Sequence, residues 1–424
     1  MLLTSYLAEN KTKAIEGLKK RNINNAELLI DEVLTKDENR KATQKELDEV
    51  LAKSNQLAKQ IGELFKTGKT DEANKLKKQT TALKEKASVL KSSLEKIEEE
   101  LKQLLYTIPN IPNEIVPFGS TDTDNEIVFL SKNQISANEK ALPHWELASK
   151  YDLIDFDLGA KITGAGFPVY KNKGAKLQRA LINFFLDEAA KAGYNEVIPP
   201  HVVNEASGYG TGQLPDKEGQ MYHVTIDNLY LIPTAEVPIT NIYRNVILQA
   251  SELPIKNVGY TPCFRREAGS YGKDVRGLNR LHQFDKVEIV QIQHPEKSYD
   301  TLNEMVEYVK TLLEKLELPY RILKLCGGDL GFTSALTYDM EVFSSAQNKW
   351  LEVSSISNFE SYQSNRLKCR FKNNEGKTQL VHTLNGSALA LPRIVAALLE
   401  NNQTPEGIKI PECLQPYTHF DMIN

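Results

Sequence analysis

The sequence predicts an α+β protein: a long antiparallel helical hairpin, followed by a domain built on an antiparallel β-sheet flanked by helices. Two observations lead to this prediction. Apolar residues recur at spacings of three and four between residues 47 and 104. Beyond residue 117, short strand-like runs dominate and are interrupted by amphipathic stretches. These runs do not alternate strictly with helices, which favours an antiparallel sheet over a doubly wound parallel one.

Two heptad-like stretches predict the hairpin. The first contains Leu47, Val50, Leu57, Ile61 and Leu64, with Ser54 filling the gap. The second runs from Ala73 to Leu104 over about four to five heptads. We expect one arm at roughly residues 28–66 and the other at roughly residues 71–105, because Gly68 supplies a flexible turn residue between them.

Residues 62–70, GELFKTGKT, raise a competing interpretation because they look like the end of a phosphate-binding loop. That loop needs four residues between its first glycine and the Gly-Lys pair, and a strand before it. Here five residues separate Gly62 from Gly68, and the preceding residues have helical spacing. The sequence therefore predicts a solvated turn at this position.

The hairpin is locally basic in a chain that is acidic overall. The 424 residues have a net charge of -4, which excludes a general polycation, yet residues 40–96 contain 14 Lys and Arg against 8 Asp and Glu. This excess fits either a solvated coiled-coil surface or nucleic-acid binding. The four scattered cysteines predict reduced thiols, and the chain shows neither a leader pattern nor a membrane-length apolar stretch. We therefore expect a cytoplasmic protein.

Prolines divide the chain into parts. Three of them in YTIPNIPNEIVP, residues 106–117, predict an extended connector. We expect a first domain at residues 1–107, a linker at 108–117 and a second domain at 118–424. In the second domain, helices are expected near residues 176–194 and 299–318. The strand-like runs are NEVIPP, LYLIPTAEVPI, NVGYTPCFRRE, QFDKVEIVQI, MEVFSSAQNKWLEVSS and KTQLVHTLNGSALAL.

The densest group of polar residues lies at 263–289, CFRREAGSYGKDVRGLNRLHQFDKVEI. Because side chains alternate along a strand, we expect Arg265 and Glu267 on one face. Phe284, Lys286 and Glu288 should likewise share a face. The middle of the segment, GSYGKDVRG, has glycines and charges suited to closing over a polyanion. Taken singly, each of these residues is better explained as part of a surface ion pair or as a core aromatic.

Taken together, the segments resemble the bacterial seryl-tRNA synthetases, which are class II aminoacyl-tRNA synthetases, over essentially the whole chain. Residues 167–200 look like motif 1, FRRE at 264–267 looks like motif 2, and GSALALPRIVAALLENNQ at 386–403 looks like motif 3. LIPTAE and EVSSISNFESYQSNR match the serine enzymes in particular, although Asn365 stands where the family often has arginine. The second domain is accordingly expected to have the class II catalytic fold.

The resemblance implies an activity and its partners. The expected reaction joins L-serine and ATP into seryl-adenylate and transfers serine to the 3′ end of tRNA-Ser, with tRNA-Sec as a further acceptor. The first domain is expected to bind the tRNA through its hairpin. Mg²⁺ is the expected metal, motif 1 implies a homodimer, and neither a membrane nor DNA is expected as a partner.

The resemblance also implies residue roles in ATP binding. Arg265 and Arg393 are the expected catalytic residues, because guanidinium groups can hold the α- and γ-phosphates. Phe284 should stack on adenine, and Glu267 should accept from its amino group. Glu352 and Ser355 are also the expected Mg²⁺ ligands, and their opposite strand parity requires a bulge or turn between them. The ATP-binding set is completed by Arg266, Val353 and Ser354.

For L-serine, the resemblance implies the set Thr234, Ala235, Glu236, Arg265, Glu288, Thr383 and Ser387. Thr234 and Glu236 should share a face and receive the ammonium, while Glu288 and Ser387 should bond the hydroxyl with help from Thr383. Two other interpretations stay open: a coiled-coil scaffold or RNA-binding module on a synthetase-like domain that has lost its activity, and a class II enzyme that loads serine or another amino acid onto a carrier protein. The presence of Arg265, Glu267 and Arg393 disfavours the first, and the basic hairpin disfavours the second.

Overall fold

The computed structural model describes residues 1–132, 140–216, 218–267 and 276–424. These residues form two compact units. The first contains residues 2–19 and 23–109, and the second contains residue 1, residues 20–22 and residues 110–424. Within the described ranges, no helix combines the length and the apolar character that a membrane crossing requires.

The first unit is helical. Its elements are α1 Thr4–Glu9, α2 Lys11–Lys20, α3 Ala26–Lys66 and α4 Thr70–Tyr106. Helices α3 and α4 have 41 and 37 residues and pair as the antiparallel hairpin that the apolar spacing predicts. At about 1.5 Å per residue they are about 60 and 55 Å long. Gly68, with φ of 77°, lies in the turn between them, so the GKT tripeptide is part of a hairpin tip and no strand precedes it.

The two long helices are held together by a narrow apolar seam. Leu47 and Val50 of α3 pack in one buried cluster with Ala87 and Leu94 of α4. Ion pairs cross the seam between Lys86 and Glu46 at 2.7 Å and between Lys36 and Glu100 at 2.9 Å. Exposed pairs of this kind contribute little free energy, but they show which residues of the two helices lie opposite each other.

The second unit combines helices and strands. Its helices are α5 His144–Lys150, α6 Phe156–Ile162, α7 Asn172–Lys191, α8 Glu205–Thr211, α9 Glu236–Asn241, α10 Ser298–Lys315, α11 Ser361–Leu367, α12 Leu391–Asn401 and α13 Gln415–Thr418. Its strands are β1 Glu126–Leu130, β2 Ile154–Asp155, β3 Val169–Tyr170, β4 Asn195–Glu196, β5 Val202–Asn204, β6 His223–Val224, β7 Leu229–Leu231, β8 Ile247–Gln249, β9 Ile255–Phe264, β10 Gln283–Gln293, β11 Tyr320–Lys324, β12 Leu336–Ser344, β13 Lys349–Asn358, β14 Arg370–Lys372, β15 Thr378–Leu380, β16 His382–Ala390, β17 Gln403–Thr404, β18 Gly407–Lys409 and β19 Met422–Ile423.

One large sheet organises this unit. Eight strands follow the order β1-β11-β12-β13-β16-β10-β9-β4, and each described pair is antiparallel except β4 with β9. Helices α7, α10 and α12 pack on the sheet and bury an extensive apolar core. Helices α7 and α10 occupy the regions where amphipathic spacing predicts helices, and the α+β prediction with an antiparallel sheet is confirmed.

Several predicted strand runs are shorter than expected, NEVIPP among them with only the two residues of β4, and in two other runs a prediction about shared faces is therefore wrong. In LYLIPTAEVPI the strand β7 ends at Leu231, because the proline at 233 cannot donate to a ladder, and Glu236 begins α9. In NVGYTPCFRRE the strand β9 ends at Phe264, and Glu267 has φ of 50°, outside the extended region. Thr234 with Glu236, and Arg265 with Glu267, thus do not share faces of strands.

Candidate active site

The predicted site residues gather around four neighbouring strands at the centre of the large sheet, β13, β16, β10 and β9. The ladder between β10 and β16 pairs Glu288 with Ser387, and the ladder between β13 and β16 pairs Ile356 with Gly386. A Cβ atom at Gly386 would lie 2.9 Å from Ile356 Cγ1, so a glycine is needed for these strands to approach. Helices α9, α11 and α12 bring the remaining site residues to these strands.

Strand β16 contains a bulge between Ser387 and the start of α12. Lys286 pairs with Ala390 and Glu288 pairs with Ser387, so two residues of β16, Ala388 and Leu389, oppose a single residue of β10. Leu389 is fully buried and has φ of 81°, a backbone conformation that L-residues rarely adopt. A bulge of this kind bends the strand locally. The bend comes directly before α12, whose first turn carries Arg393.

A buried ion pair lies next to this bulge. Lys286 Nζ is 2.5 Å from Glu288 Oε2, and the two residues are 7% and 2% exposed. The Ser387 hydroxyl donates to the same Glu288 oxygen at 3.4 Å. A carboxylate at this depth requires a counter-charge, because burial without one costs several kcal/mol. Lys286 therefore supplies that counter-charge and orients Glu288.

A second buried carboxylate, Glu236, faces the first. Gln363 of α11 donates to Glu236 Oε1 at 2.7 Å and accepts from the Thr383 hydroxyl at 2.8 Å. Burial, together with the charge of Glu288, raises the pKa of Glu236 to about 7. Glu236 and Glu288 thus compete for the positive charge of one lysine, and a second cation placed between them would be favourable.

The residues predicted for the nucleotide lie at the ends of β9 and β10. The Arg265 guanidinium lies 5.2 Å from the centre of the Phe284 ring, at cation–π distance. Arg265 Nε also donates to the Pro233 carbonyl at 3.3 Å, just before Thr234. Glu267 is 3.3 Å from Arg280 Nε. The structure therefore brings Arg265 next to both the aromatic ring and the TAE segment.

Arg393 joins this group from the opposite side. Its Nη1 donates to the Glu352 carbonyl at 2.6 Å and is 3.6 Å from Glu352 Oε2, while its Nε donates to the Asn279 carbonyl at 3.4 Å. The guanidinium is thus held by backbone and carboxylate oxygens at the edge of the site. A guanidinium fixed in this way can act as a preorganised anion clamp.

The bulge that Glu352 and Ser355 require is present in β13. Met340 of β12 pairs with Ser354, whereas Glu341 pairs with Glu352, which leaves Val353 as the extra residue. Glu352 and Ser355 both reach Asp339: the Ser355 hydroxyl hydrogen-bonds to it, and the charge of Glu352 acts on it. Burial, followed by that charge, raises the pKa of Asp339 well above its usual range.

This corner of the site suits a magnesium ion. Asp339 Oδ1 is buried without a hydrogen-bond partner, next to the carboxylate of Glu352 and the hydroxyl of Ser355. Oxygen donors and uncompensated negative charge are what a hard cation needs. In the described ranges no group of three or more His, Cys, Asp and Glu side chains is arranged to hold a metal by itself. Mg²⁺ typically uses few protein ligands and takes the rest from phosphates and water.

Four predicted site residues form no side-chain-to-side-chain hydrogen bond or ion pair with the other predicted site residues in the described ranges. Ala235 and Val353 belong to apolar clusters, and the Ser354 hydroxyl donates to the Ser387 carbonyl at 2.7 Å. Arg266 is exposed, and its backbone N–H donates to the Gln220 carbonyl at 2.8 Å. Of GSYGKDVRG, residues 269–275 lie outside the described residues, and the segment's last two residues, Arg276 and Gly277, are described.

Two family models match the chain: seryl-tRNA synthetase N-terminal domain over residues 1–112, and tRNA synthetase class II core domain (G, H, P, S and T) over residues 222–402. The serine–tRNA ligase of Salinibacter ruber is 50% identical over 100% of this chain and 99% of its own length. The chain belongs to the seryl-tRNA synthetase family. A second family member, the serine–tRNA ligase of Chlorobaculum parvum, is 45% identical over the full length of both chains.

Solved structures of the seryl-tRNA synthetase family superpose on this chain. The seryl-tRNA synthetase from Pyrococcus horikoshii, complexed with ATP, gives a TM-score of 0.93 at 32% identity and covers 100% of this chain. Its match extends over 99% of that structure's own chain. The cytoplasmic serine–tRNA ligase from Naegleria fowleri, in complex with AMP, gives a TM-score of 0.87 at 27% identity, covering 99% of this chain and 97% of its own.

Several residues in contact with the site received no role from the sequence. Gln363 lies inside SYQSNR, a segment that resembles the seryl-tRNA synthetase family, but its bonds to Glu236 and Thr383 emerge only from the packing of α11. The sequence predicts that Lys286 shares a strand face with Glu288, but it gives Lys286 no role in binding. Asp339 belongs to β12, and its place in the site becomes evident only from the strand register, which pairs it with Ser355. The signal in each case is a polar residue buried in a strand or helix.

The ion pair at the centre of the site gives a stability prediction. Lys286→Met removes the cation and leaves Glu288 as a buried, unpaired carboxylate, which should lower the free energy of unfolding by about 3–5 kcal/mol. Adding Glu288→Gln should recover part of that loss, because the double variant contains no unpaired charge. Urea unfolding of the parent, both single variants and the double variant measures the coupling. Additive losses would contradict the pairing.

Proposed function

We propose that this chain is a serine–tRNA ligase that first activates L-serine with ATP and then transfers it to tRNA-Ser. The observation that carries the proposal is the pairing of two kinds of subsite within one sheet. Arg265 and Arg393 provide fixed cations for phosphates, and the buried carboxylates of Glu236 and Glu288 provide a small polar pocket. The names of the full-length relatives point to the same reaction.

In the first step, a carboxylate oxygen of serine attacks the α-phosphorus of ATP. A P–O bond forms as the bond from the α-phosphorus to the bridging oxygen breaks, and pyrophosphate leaves with that electron pair. No general base is required, because the nucleophile is already an anion. The role left to the protein is to position the reactants and neutralise charge, with Arg265 at the α-phosphate and serine carboxylate and Arg393 at the γ-phosphate.

The adenine of ATP is proposed to bind over Phe284. Glu267 would accept from the exocyclic amino group, and Arg280 holds that carboxylate at 3.3 Å. Backbone atoms near Arg266, Val353 and Ser354 would complete the ATP site. Glu352 and Ser355 would hold Mg²⁺, with Asp339 behind them, and the ion would neutralise phosphate charge.

Serine recognition is proposed to depend on charge and hydrogen bonding. Its ammonium would lie against Glu236, with Thr234 and Ala235 forming that side of the pocket. Its hydroxyl would bond Glu288 and Ser387, near Thr383. Alanine lacks the hydroxyl and would leave these buried groups unpaired, a defect that typically costs an analogue about 10⁴-fold in specificity.

In the second step, a hydroxyl of the 3′-terminal ribose of tRNA attacks the carbonyl carbon of seryl-adenylate and AMP leaves. We propose residues 1–107 as the tRNA-binding domain, 108–117 as the linker and 118–424 as the catalytic domain. The basic hairpin supports this assignment, because lysines contact phosphates and displace counterions. By resemblance, tRNA-Sec is proposed as a second acceptor, and the cytoplasm as the site of action.

The first prediction from the proposed function concerns the pH dependence of serine binding. The raised pKa of Glu236, about 7, means that it is largely protonated at pH 6 and largely ionised at pH 8. The ammonium of serine needs the ionised form, so affinity should rise with pH by about ten-fold between pH 6 and pH 8. Calorimetric titration with serine measures it. Glu236→Gln should bind serine weakly and without this dependence, and a flat profile in the parent would refute the assignment.

The second prediction concerns assembly. The motif 1 segment includes α7 and ends near Ile198, whose side chain is 85% exposed in the single chain. We propose that this region forms the two-fold interface of a homodimer. Light scattering at micromolar concentration should give twice the mass of one chain, and Ile198→Asp should shift the population toward monomer. A monomeric parent would contradict the proposal.

The third prediction separates the two steps of the reaction. Lys86 and Glu46 form an ion pair across the hairpin, so residues 47–85 can be replaced by a short Gly-Ser turn with the base of the hairpin retained. Serine-dependent ATP–pyrophosphate exchange should stay within about two-fold, because the site is built from residues beyond 200. Charging of tRNA-Ser should fall by about 100-fold or more, because the removed segment supplies phosphate contacts.

A lysine pair provides the control for that deletion. Lys75→Gln with Lys78→Gln removes two exposed charges from α4, and it should reduce the salt dependence of tRNA binding by about 0.7–0.9 log units per contact. Lys91 is already 4.0 Å from Glu95, so Lys91→Gln should change the salt dependence less. If the shortened enzyme charged tRNA-Ser as well as the intact one, the hairpin would not be the tRNA-binding element.

A further inference from the structure

A buried hydrogen-bond network links the candidate ATP site to residues that have received no role so far. It centres on His144, the first residue of α5, and Glu400, in the last turn of α12, and both side chains are fully buried. His144 Nδ1 lies 2.7 Å from Glu400 Oε1, and the His144 backbone N–H donates to the same oxygen at 2.9 Å. Ser344 and Gln347 also donate to the Glu400 carboxylate.

The other ring nitrogen of His144 contacts the segment that leads into β10. The Leu278 N–H donates to His144 Nε2 at 2.8 Å. Because Nε2 accepts, the ring proton belongs on Nδ1, where it is donated to Glu400. The imidazole thus uses both nitrogens, one toward α12 and one toward residues 276–282, which we call the return segment. Burial alone would raise the pKa of Glu400, but the bonds from His144 and Ser344 outweigh it and hold that pKa below its usual value.

The return segment contacts three of the residues proposed to bind ATP. The Asn279 carbonyl accepts from Arg393, Arg280 pairs with Glu267, and His282 Nδ1 lies 3.0 Å from the Arg265 carbonyl. Phe284 follows two residues later. The segment is held at several points: the Asn279 side chain donates to Gln347, which itself donates to Glu400. A shift of the return segment would therefore move the adenine and γ-phosphate contacts together.

The backbone shows that His144 and the return segment are fitted to each other. Gly277 has φ of 70°, and a Cβ atom there would lie 2.2 Å from His144 Nε2. Arg276 lies 4.9 Å from the centre of the Trp145 ring, so the residue next to His144 also holds this segment.

Most contacts proposed for serine use other elements: α9, α11, β16 and Glu288 in the interior of β10. Arg265 is shared between the two substrates, but His282 contacts only its backbone carbonyl. The Arg265 guanidinium is held by the Pro233 carbonyl and the Phe284 ring.

We propose that His144, backed by Glu400, is a positioning residue that fixes the return segment and so sets the affinity for ATP without setting that for serine. The inference rests on the proposed function, because it assumes that Glu267, Phe284 and Arg393 bind ATP. A residue with a merely structural role would change the stability of the protein alone, or it would change the KM for ATP and the KM for serine by the same factor.

Two substitutions at the same position test this. In His144→Asn the amide can still donate to Glu400, but nothing reaches the Leu278 N–H, and an unpaired buried donor is costly. In His144→Gln the longer side chain places an acceptor near the Nε2 position. In ATP–pyrophosphate exchange, His144→Asn should raise the KM for ATP by about ten-fold and leave the KM for serine within about two-fold. His144→Gln should recover most of the loss.

Controls keep the outcomes distinct. Tyr194→Phe removes a different buried bond, from Gln291 at 2.8 Å, and should lower the melting temperature with the KM for ATP unchanged. If His144→Asn is insoluble, Gln347→Met, which removes donors and acceptors at Glu400 and Asn279, should show the same split. The proposal would be overturned if these variants had the same KM for ATP as the parent enzyme, or if the KM for ATP and the KM for serine rose equally. Absence of serine-dependent exchange in the parent would instead reject the proposed function.

Discussion

A β-strand presents only every second side chain to one face of its sheet, and the site depends on how this constraint is broken. Strands β13 and β16 each contain a bulge, at Val353 and at Ala388 with Leu389. The ladder between these strands stops at Ile356 and Gly386, so both bulges lie just beyond its last pair. The first lets Glu352 and Ser355 both reach Asp339. The second directly precedes α12, the helix that carries Arg393. Each bulge reverses the alternation of side chains between the two faces of the sheet, next to the polar residues of the site.

Two carboxylates and one lysine set the electrostatics of the pocket proposed for serine. Glu236 and Glu288 are both buried, and Lys286 directly neutralises Glu288. The remaining carboxylate is held by an amide, Gln363, rather than by a second cation. In the proposed function, the ammonium group of serine would supply positive charge beside Glu236, and the neighbouring hydrogen-bonding groups would pair with its hydroxyl. Positioning these groups requires α9 and α11, which are packed on the sheet far from each other in sequence.

Sequence periodicity could predict the hairpin, because the residues that α3 and α4 bury against each other recur at spacings of three and four in the sequence. It could also predict that Glu352 and Ser355 need a bulge, since parity is a local property. It could not predict that β9 ends at Phe264 or that Glu236 begins a helix, because prolines and tertiary contacts override strand propensity there. The roles of Gln363 and Asp339 could not be predicted for a further reason. Their partners lie on other strands and helices, and only tertiary packing brings them together.

The hairpin also has a consequence for the order in which the chain folds. Its two helices are consecutive and joined by a three-residue turn, whereas β1 pairs Glu126 with Lys324, nearly 200 residues later. Local contacts form quickly and need no later sequence. At about 5–20 residues per second, synthesis of the rest of the chain takes about 15–60 s after the hairpin is complete. Throughout that time the ribosome carries a chain whose basic helices can already pair, while its sheet still lacks the strands that close it.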